Sequence, residues 1–225
     1  SGQWDNFSDI STLEQRAEIK ENAYSLVSWM TSWQIVNWIK YIEGDYKIDP
    51  ANIAIDYETL IVKNGDVTIA SDIDWDAIWI ITLNANLDYS KLGSWVYKYW
   101  NVFINSDVKR INAMIYADGW VISSNTNWIA WVENSIERTV DLQQQLWLRG
   151  AMFSKNTVGW AVAGSSGKYK LPGWEETDDF NEAMIYDLNY TRSDWSWAVV
   201  GYEDYAFVVE FDSEMQSNPP KWFSD

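Results

Sequence analysis

The chain has 225 residues, 47% of them hydrophobic and 22% charged, which is enough apolar material for one large domain with a sizeable core. Sixteen basic against thirty-three acidic residues leave a net charge of −17, a balance that disfavours nucleic acid and anionic membranes as partners. Cys and His are both absent, which excludes disulfides, Cys/His zinc sites and any Ser-His or Cys-His catalytic pair, and leaves carboxylate chemistry, calcium binding or no chemistry at all.

Residues 1–10 contain neither a start Met nor a basic segment followed by an apolar run, so the expectation is a piece of a longer protein whose preceding segment would hold an export signal or anchor. No stretch of eighteen apolar residues occurs, so no membrane span is expected. Ser11-Thr12-Leu13-Glu14 has the form of a capping box. Leu13, Ala17, Ala23, Tyr24, Val27 and Met30 follow at helical spacing and predict a helix to about Ser28. One or two further helical turns are predicted through Ile35, Val36 and Ile39, which makes residues 1–43 a helical N-terminal segment.

From Gly44 onward the texture changes, and residues 44–225 read as a β-domain. Tyr46-Lys47-Ile48, Ile53-Ala54-Ile55, Leu60-Ile61-Val62, Val67-Thr68-Ile69, Ile78 to Ile81 and Val102-Phe103-Ile104 are short β-type runs. So are Ala113 to Tyr116, Val121-Ile122 and Leu146-Trp147-Leu148. Glu133 to Gln145 reads as a loop or short helix, Glu175 to Asp179 as an acidic loop, and Ala183 to Asp187 and Ala206 to Phe211 as terminal strands before Pro219-Pro220 closes the ordered part.

Short strands without crossover helices rule out a doubly wound sheet and leave a sandwich, a barrel or a solenoid. Two details favour the solenoid. Runs of three or four residues split by very short turns suit a rung that corners several times per coil. Asn52, Asn84, Asn86, Asn101, Asn105 and Asn112 fall near strand ends, where Asn tolerates left-handed geometry and can join a stacked amide ladder. Segments starting near Asp66, Asn84, Asn101 and Asp118 are spaced by 17 or 18 residues, which predicts the length of one coil. The expected fold is therefore all-β: a single-stranded right-handed parallel β-helix with a short N-terminal helix and an irregular C-terminal cap. Its stacked interior would draw on Ile55, Val67, Ile69, Ile80, Ile104, Ile115 and Ile122.

Seventeen residues are Trp, against only eleven Gly. The indoles follow turn formers again and again: Asp118-Gly119-Trp120, Val158-Gly159-Trp160, Pro172-Gly173-Trp174, Asp74-Trp75-Asp76, Asn127-Trp128. Such places call for a residue without a Cβ. One reading is a carbohydrate platform of stacked indoles. The other is that most of these positions are glycine, encoded by UGA codons that one decoding reads as Trp and another as Gly. Glycine at all seventeen positions would raise the eleven glycines to 28. Trp147, inside an apolar strand, reads as a genuine tryptophan.

Asn112 to Gly119, Gln144 to Gly150 and Ser154 to Gly159 resemble the Gly-rich C-terminal half of surface proteins from candidate-phyla bacteria, some of which decode UGA as glycine. Tyr186 to Tyr190 and Gln216 to Pro220 fit as well, so the resemblance spans about residues 60–222. It implies a right-handed β-helix on an exported protein associated with pili or the cell wall. It carries no catalytic residues to this chain, which departs from the pattern in having Trp where those proteins have Gly.

Asp72, Asp74 and Asp76 stand at i, i+2 and i+4, a spacing that could gather a hard cation such as calcium on a turn. Leu83 at the twelfth position rules out an EF-hand, and a solvated acidic turn is the competing reading. Glu175 to Asp179 is a second acidic cluster. Lys109-Arg110, Arg138, Arg149 and Arg192 could supply the base of a polysaccharide lyase, but in no recognisable order. Gly164-Ser165-Ser166-Gly167-Lys168 lacks phosphate-loop spacing. The sequence thus points to a non-enzymatic, extracellular or cell-surface structural or adhesive module without a cofactor. Its partners would be cell-surface components or polysaccharide. The alternative is a carbohydrate-binding or polysaccharide-cleaving domain that uses surface Trp and acidic residues.

Overall fold

The computed structural model describes residues 21–50, 57–83, 100–105, 107–124, 145–154, 167–170, 176–179, 188 and 207–210. Residues 21–27 are helical. Thirteen strands follow: β1 Ile35–Val36, β2 Ile39–Glu43, β3 Tyr46–Ile48, β4 Thr59–Lys63, β5 Val67–Ile69, β6 Ile73–Leu83 and β7 Val102–Asn105, then β8 Arg110–Ala117, β9 Val121–Ser124, β10 Leu146–Ser154, β11 Tyr169–Lys170, β12 Glu176–Thr177 and β13 Phe207–Glu210. The described chain is all-β apart from that helix. Among the described residues no helix is long and apolar enough to cross a membrane.

One sheet runs β1-β2-β4-β6-β8-β10-β13 and a second runs β3-β5-β7-β9. From β2 to β10 the chain alternates between them, strand by strand, and every pair within this span is parallel. Among the described residues, antiparallel pairing is confined to β1 with β2 and to the small β11–β12 sheet. Tyr46–Ile48 and Val67–Ile69 coincide with the predicted triplets. The predicted Ile53-Ala54-Ile55 and Ala183 to Asp187 lie outside the described residues.

Parallel register stacks like on like. Leu60, Ile80 and Ile115 form one column of the first sheet and Ile48, Ile69 and Ile104 one column of the second. All six are essentially fully buried in one core cluster between the sheets. Each such aliphatic contributes on the order of 1.5–3 kcal/mol relative to exposure. The first column begins with Lys40, which pairs with Leu60. Its ammonium donates to the Tyr46 hydroxyl at 2.7 Å and lies over the Tyr46 and Tyr57 rings at 4.7 and 5.1 Å. A cation held by phenols thus closes the end of the apolar interior, as a polar cap closes a repeat stack.

The outer face of the first sheet is also apolar. Ile39, Tyr41, Ile61, Trp79, Ile81, Met114 and Tyr116 form a second buried cluster with Ala23, Val27 and Met30 of the N-terminal segment. The helix therefore covers this face, as its periodicity predicts. Covering on both sides explains why Thr59-Leu60-Ile61-Val62 is a continuous buried run with no alternation.

Two expectations are corrected. Ile35, Val36 and Ile39 are not helical but belong to the β1–β2 hairpin, so strand pairing begins ahead of Gly44. Its two central residues, Asn37 and Trp38, have φ of 50° and 65°, the pattern of a type I′ turn. Secondly, one circuit is not 17 or 18 residues. Ile39, Thr59 and Trp79 are neighbours at 20-residue intervals, whereas Val67 and Val102 are neighbours 35 residues apart because residues 84–99 intervene. The terminal strand expected over Ala206 to Phe211 is present as β13, which pairs with β10 in the first sheet.

Candidate functional site

Two places bring polar chemistry together. The first is the corner between the two sheets. Asp45, Asp66, Asn101 and Trp120 immediately precede β3, the mutually paired β5 and β7, and β9. They are joined by side-chain rungs. Asp66 N–H donates to Asp45 Oδ1 at 2.9 Å, Asn101 N–H to Asp66 Oδ1 at 2.8 Å and Trp120 N–H to Asn101 Oδ1 at 2.9 Å. The Asn101 amide adds a bond to the same Asp66 oxygen at 3.1 Å. The predicted amide ladder is present at Asn101, with aspartates as its other acceptors. One residue earlier stands a second column, Gly44, Gly65, Trp100 and Gly119. A Cβ on Gly65 would run into the backbone of Gly44, and one on Gly119 into Asn101 Oδ1 and the Trp100 carbonyl.

Burial at this corner, reinforced by Asp45, raises Asp66 to about 6 despite the amides it accepts from. A carboxyl with a higher pKa folded than unfolded holds its proton more tightly in the folded state. Its effect on stability is therefore favourable at low pH and is lost as pH rises from about 4 through 6. Asp66→Asn keeps the acceptor Oδ1 without the charge. It is expected to stabilise the protein by about 1–2 kcal/mol at pH 7, with little effect near pH 4. Thermal melts at the two pH values check this, and equal shifts at both would contradict it.

The second place is an open cleft of about 420 Å³ lined by Lys109, Arg110, Gln145 and Trp147. Parallel pairing builds it, since Trp147 of β10 sits beside Arg110 of β8, and Trp147 N–H donates to the Lys109 carbonyl at 2.7 Å. The β10 run alternates buried Leu146 and Leu148 with outward Trp147 and Arg149. Trp147 is thus an outward residue, 38% exposed, and its indole N–H donates to Glu210 Oε2 of β13 at 3.1 Å.

Asp72 holds the backbone of two residues that line this cleft. Its Oδ1 accepts the backbone N–H of Lys109 at 2.6 Å and of Arg110 at 3.1 Å. Asp72 therefore anchors the start of β8. Asp74 is exposed within β6, and the backbone from Ile73 to Leu83 is a strand rather than the predicted turn. The Asp76 side chain lies outside the described residues, as do Arg138 and Arg192. Among the described residues, no group of three acidic side chains is placed to hold a metal ion. In the second acidic cluster, Glu176-Thr177 pairs with β11, and Asp179 N–H donates to Thr177 Oγ1 at 3.1 Å.

Sequence reading identified Lys109-Arg110 and Trp147 separately but not as neighbours. No protein-family model, curated protein or solved structure is detectably similar to this chain.

Proposed function

We propose that the chain is the right-handed parallel β-helix of an exported, non-enzymatic surface or adhesive module. The observation that carries this reading is the strand-by-strand alternation between two parallel sheets over β2 to β10, with the Asp45–Asp66–Asn101 ladder at one corner. Parallel crossovers within a sheet are right-handed in about 98% of cases. An architecture of stacked rungs invests its chemistry in corners and columns, and its side-chain ladders serve cohesion between neighbouring rungs. The acidic surface suits a long exposed stack, because like charge discourages edge-to-edge association.

Three indoles support the glycine reading of the Trp-rich sequence. Trp33, Trp38 and Trp100 have φ of 71°, 65° and 80°, where a bulky L-residue is an outlier. Trp33 is the third residue of a turn closed by Gln34 N–H to the Thr31 carbonyl at 3.0 Å, the position that type II geometry gives to glycine. Trp38 follows Asn37 in the hairpin, where Asn-Gly is the preferred pair. Trp100 occupies a column whose other members are Gly44, Gly65 and Gly119. The native module in this reading has glycine at these corners, and its exposed face is not an indole platform.

Brief protease treatment of intact cells that make the native protein tests the proposal. Release of peptides from residues 21–210 before any cytosolic marker is the expected result. Protection until the cells are lysed would overturn the surface assignment.

A further inference from the structure

Trp79 and Trp147 lie within strands β6 and β10, unlike the indoles with left-handed backbone. A strand interior favours an aromatic residue and penalises glycine. Trp79 is buried in the cluster beneath the N-terminal helix, so packing accounts for it. Trp147 is exposed at a cleft that, among the described residues, is otherwise lined by Lys109, Arg110 and Gln145. We infer that this cleft binds an acidic saccharide, an oligomer of uronate-type sugars. The Trp147 indole would receive the ring and the Lys109-Arg110 pair its carboxylates.

The set of groups matches that ligand on each of its chemical faces. A pyranose presents an apolar C–H face, which an indole face takes up, and the bond from the indole N–H to Glu210 fixes the ring plane. Hydroxyls around the sugar rim both donate and accept. The Gln145 amide can do both, and the Glu210 carboxylate accepts. A guanidinium matches a carboxylate with a two-pronged fork, and a neighbouring ammonium adds a point charge. The Lys109 and Arg110 side chains are the cationic groups of this cleft, while Asp72 is engaged by their backbone amides and Glu210 by the indole N–H. The cations are not carried on a slack loop. Asp72 grips both of their backbone amides, which pre-organises the wall before binding. The cleft volume of about 420 Å³ falls in the range of about 300–1,000 Å³ typical of small-molecule sites.

This inference rests on the adhesive reading for its class of ligand. Isothermal titration of the full chain with tetra-galacturonate and with its fully methyl-esterified form tests it. The charged tetramer is expected to bind with an affinity that falls as salt rises, and the ester at least tenfold more weakly. Trp147→Ala is expected to weaken the charged tetramer at least tenfold and Trp147→Phe much less. The double variant Lys109→Gln/Arg110→Gln is expected to lose the preference for the charged form. That double variant keeps the backbone amides that Asp72 holds, so it carries the test if Trp147→Ala does not fold. No heat at millimolar tetra-galacturonate, equal affinity for the ester, or full affinity in the folded Lys109/Arg110 variant would overturn the cleft. Each of those results leaves the surface assignment standing, because protease release from cells reads that assignment separately.

Discussion

Gly65→Ala is expected to lower stability by about 3 kcal/mol, at the upper end of the cost of overpacking. The reason is local and rigid. The added methyl would fall on the carbonyl carbon and oxygen of Gly44 and on the Asp45 nitrogen, all of them backbone. No side chain can rotate away, so the two rungs must separate. The same corner carries Asp66 N–H to Asp45 Oδ1 and Tyr46 N–H to the Asp66 carbonyl, both at 2.9 Å, and these bonds lengthen with any separation. Gly44→Ala is the control. Its Cβ meets open space, but its φ of +102° is unfavourable for an L-residue, so the cost is about 1–2 kcal/mol. Denaturant melts of the two variants separate steric collision from backbone strain. A Gly65→Ala protein within 1 kcal/mol of its parent, or less affected than Gly44→Ala, would contradict tight rung contact at this corner.

The short strands were legible because each is a local event. A triplet such as Val67-Thr68-Ile69 declares itself by alternation alone, and burial follows it. Rung length was not legible, because it is set by which distant residues share hydrogen bonds. Val67 and Val102 pair across an intervening segment that breaks any count along the chain. The regular spacing from Asp66 through Asn84 to Asn101 therefore misleads: Asp66 and Asn101 are direct neighbours, one hydrogen bond apart at the starts of two paired strands. The β1–β2 hairpin was hidden for a different reason. Ile35 and Ile39 stand at helical spacing, and the turn between them carries Asn37-Trp38 in place of the Asn-Gly pair that marks a type I′ turn. The cleft could not be read at all, since Arg110 and Trp147 meet only through the pairing of β8 with β10.

Replacing Trp33 and Trp38 together by glycine is expected to stabilise the protein by about 1–2 kcal/mol. A left-handed backbone costs an L-residue roughly 1–2 kcal/mol, and each site relieved of it gives back about 0.5–1 kcal/mol to the greater freedom of glycine in the unfolded chain. Trp33 and Trp38 are 65% and 53% exposed, so removing their indoles sacrifices little burial. Trp100 is buried, so the packing its indole would lose offsets the strain relieved there, and no net gain is expected from its replacement. Trp79→Gly is the opposing control. It removes a buried aromatic from the middle of β6 and is expected to destabilise by about 3–5 kcal/mol. Peptide masses of the native protein address the same contrast without mutagenesis, since each glycine in place of Trp makes a peptide about 129 Da lighter by composition. Lighter peptides at 33, 38 and 100 together with full mass at 79 and 147 are expected. Full indole mass at the three left-handed positions, with no gain in stability from the double replacement at 33 and 38, would mean that these corners hold tryptophan natively and that the exposed aromatic face requires a ligand.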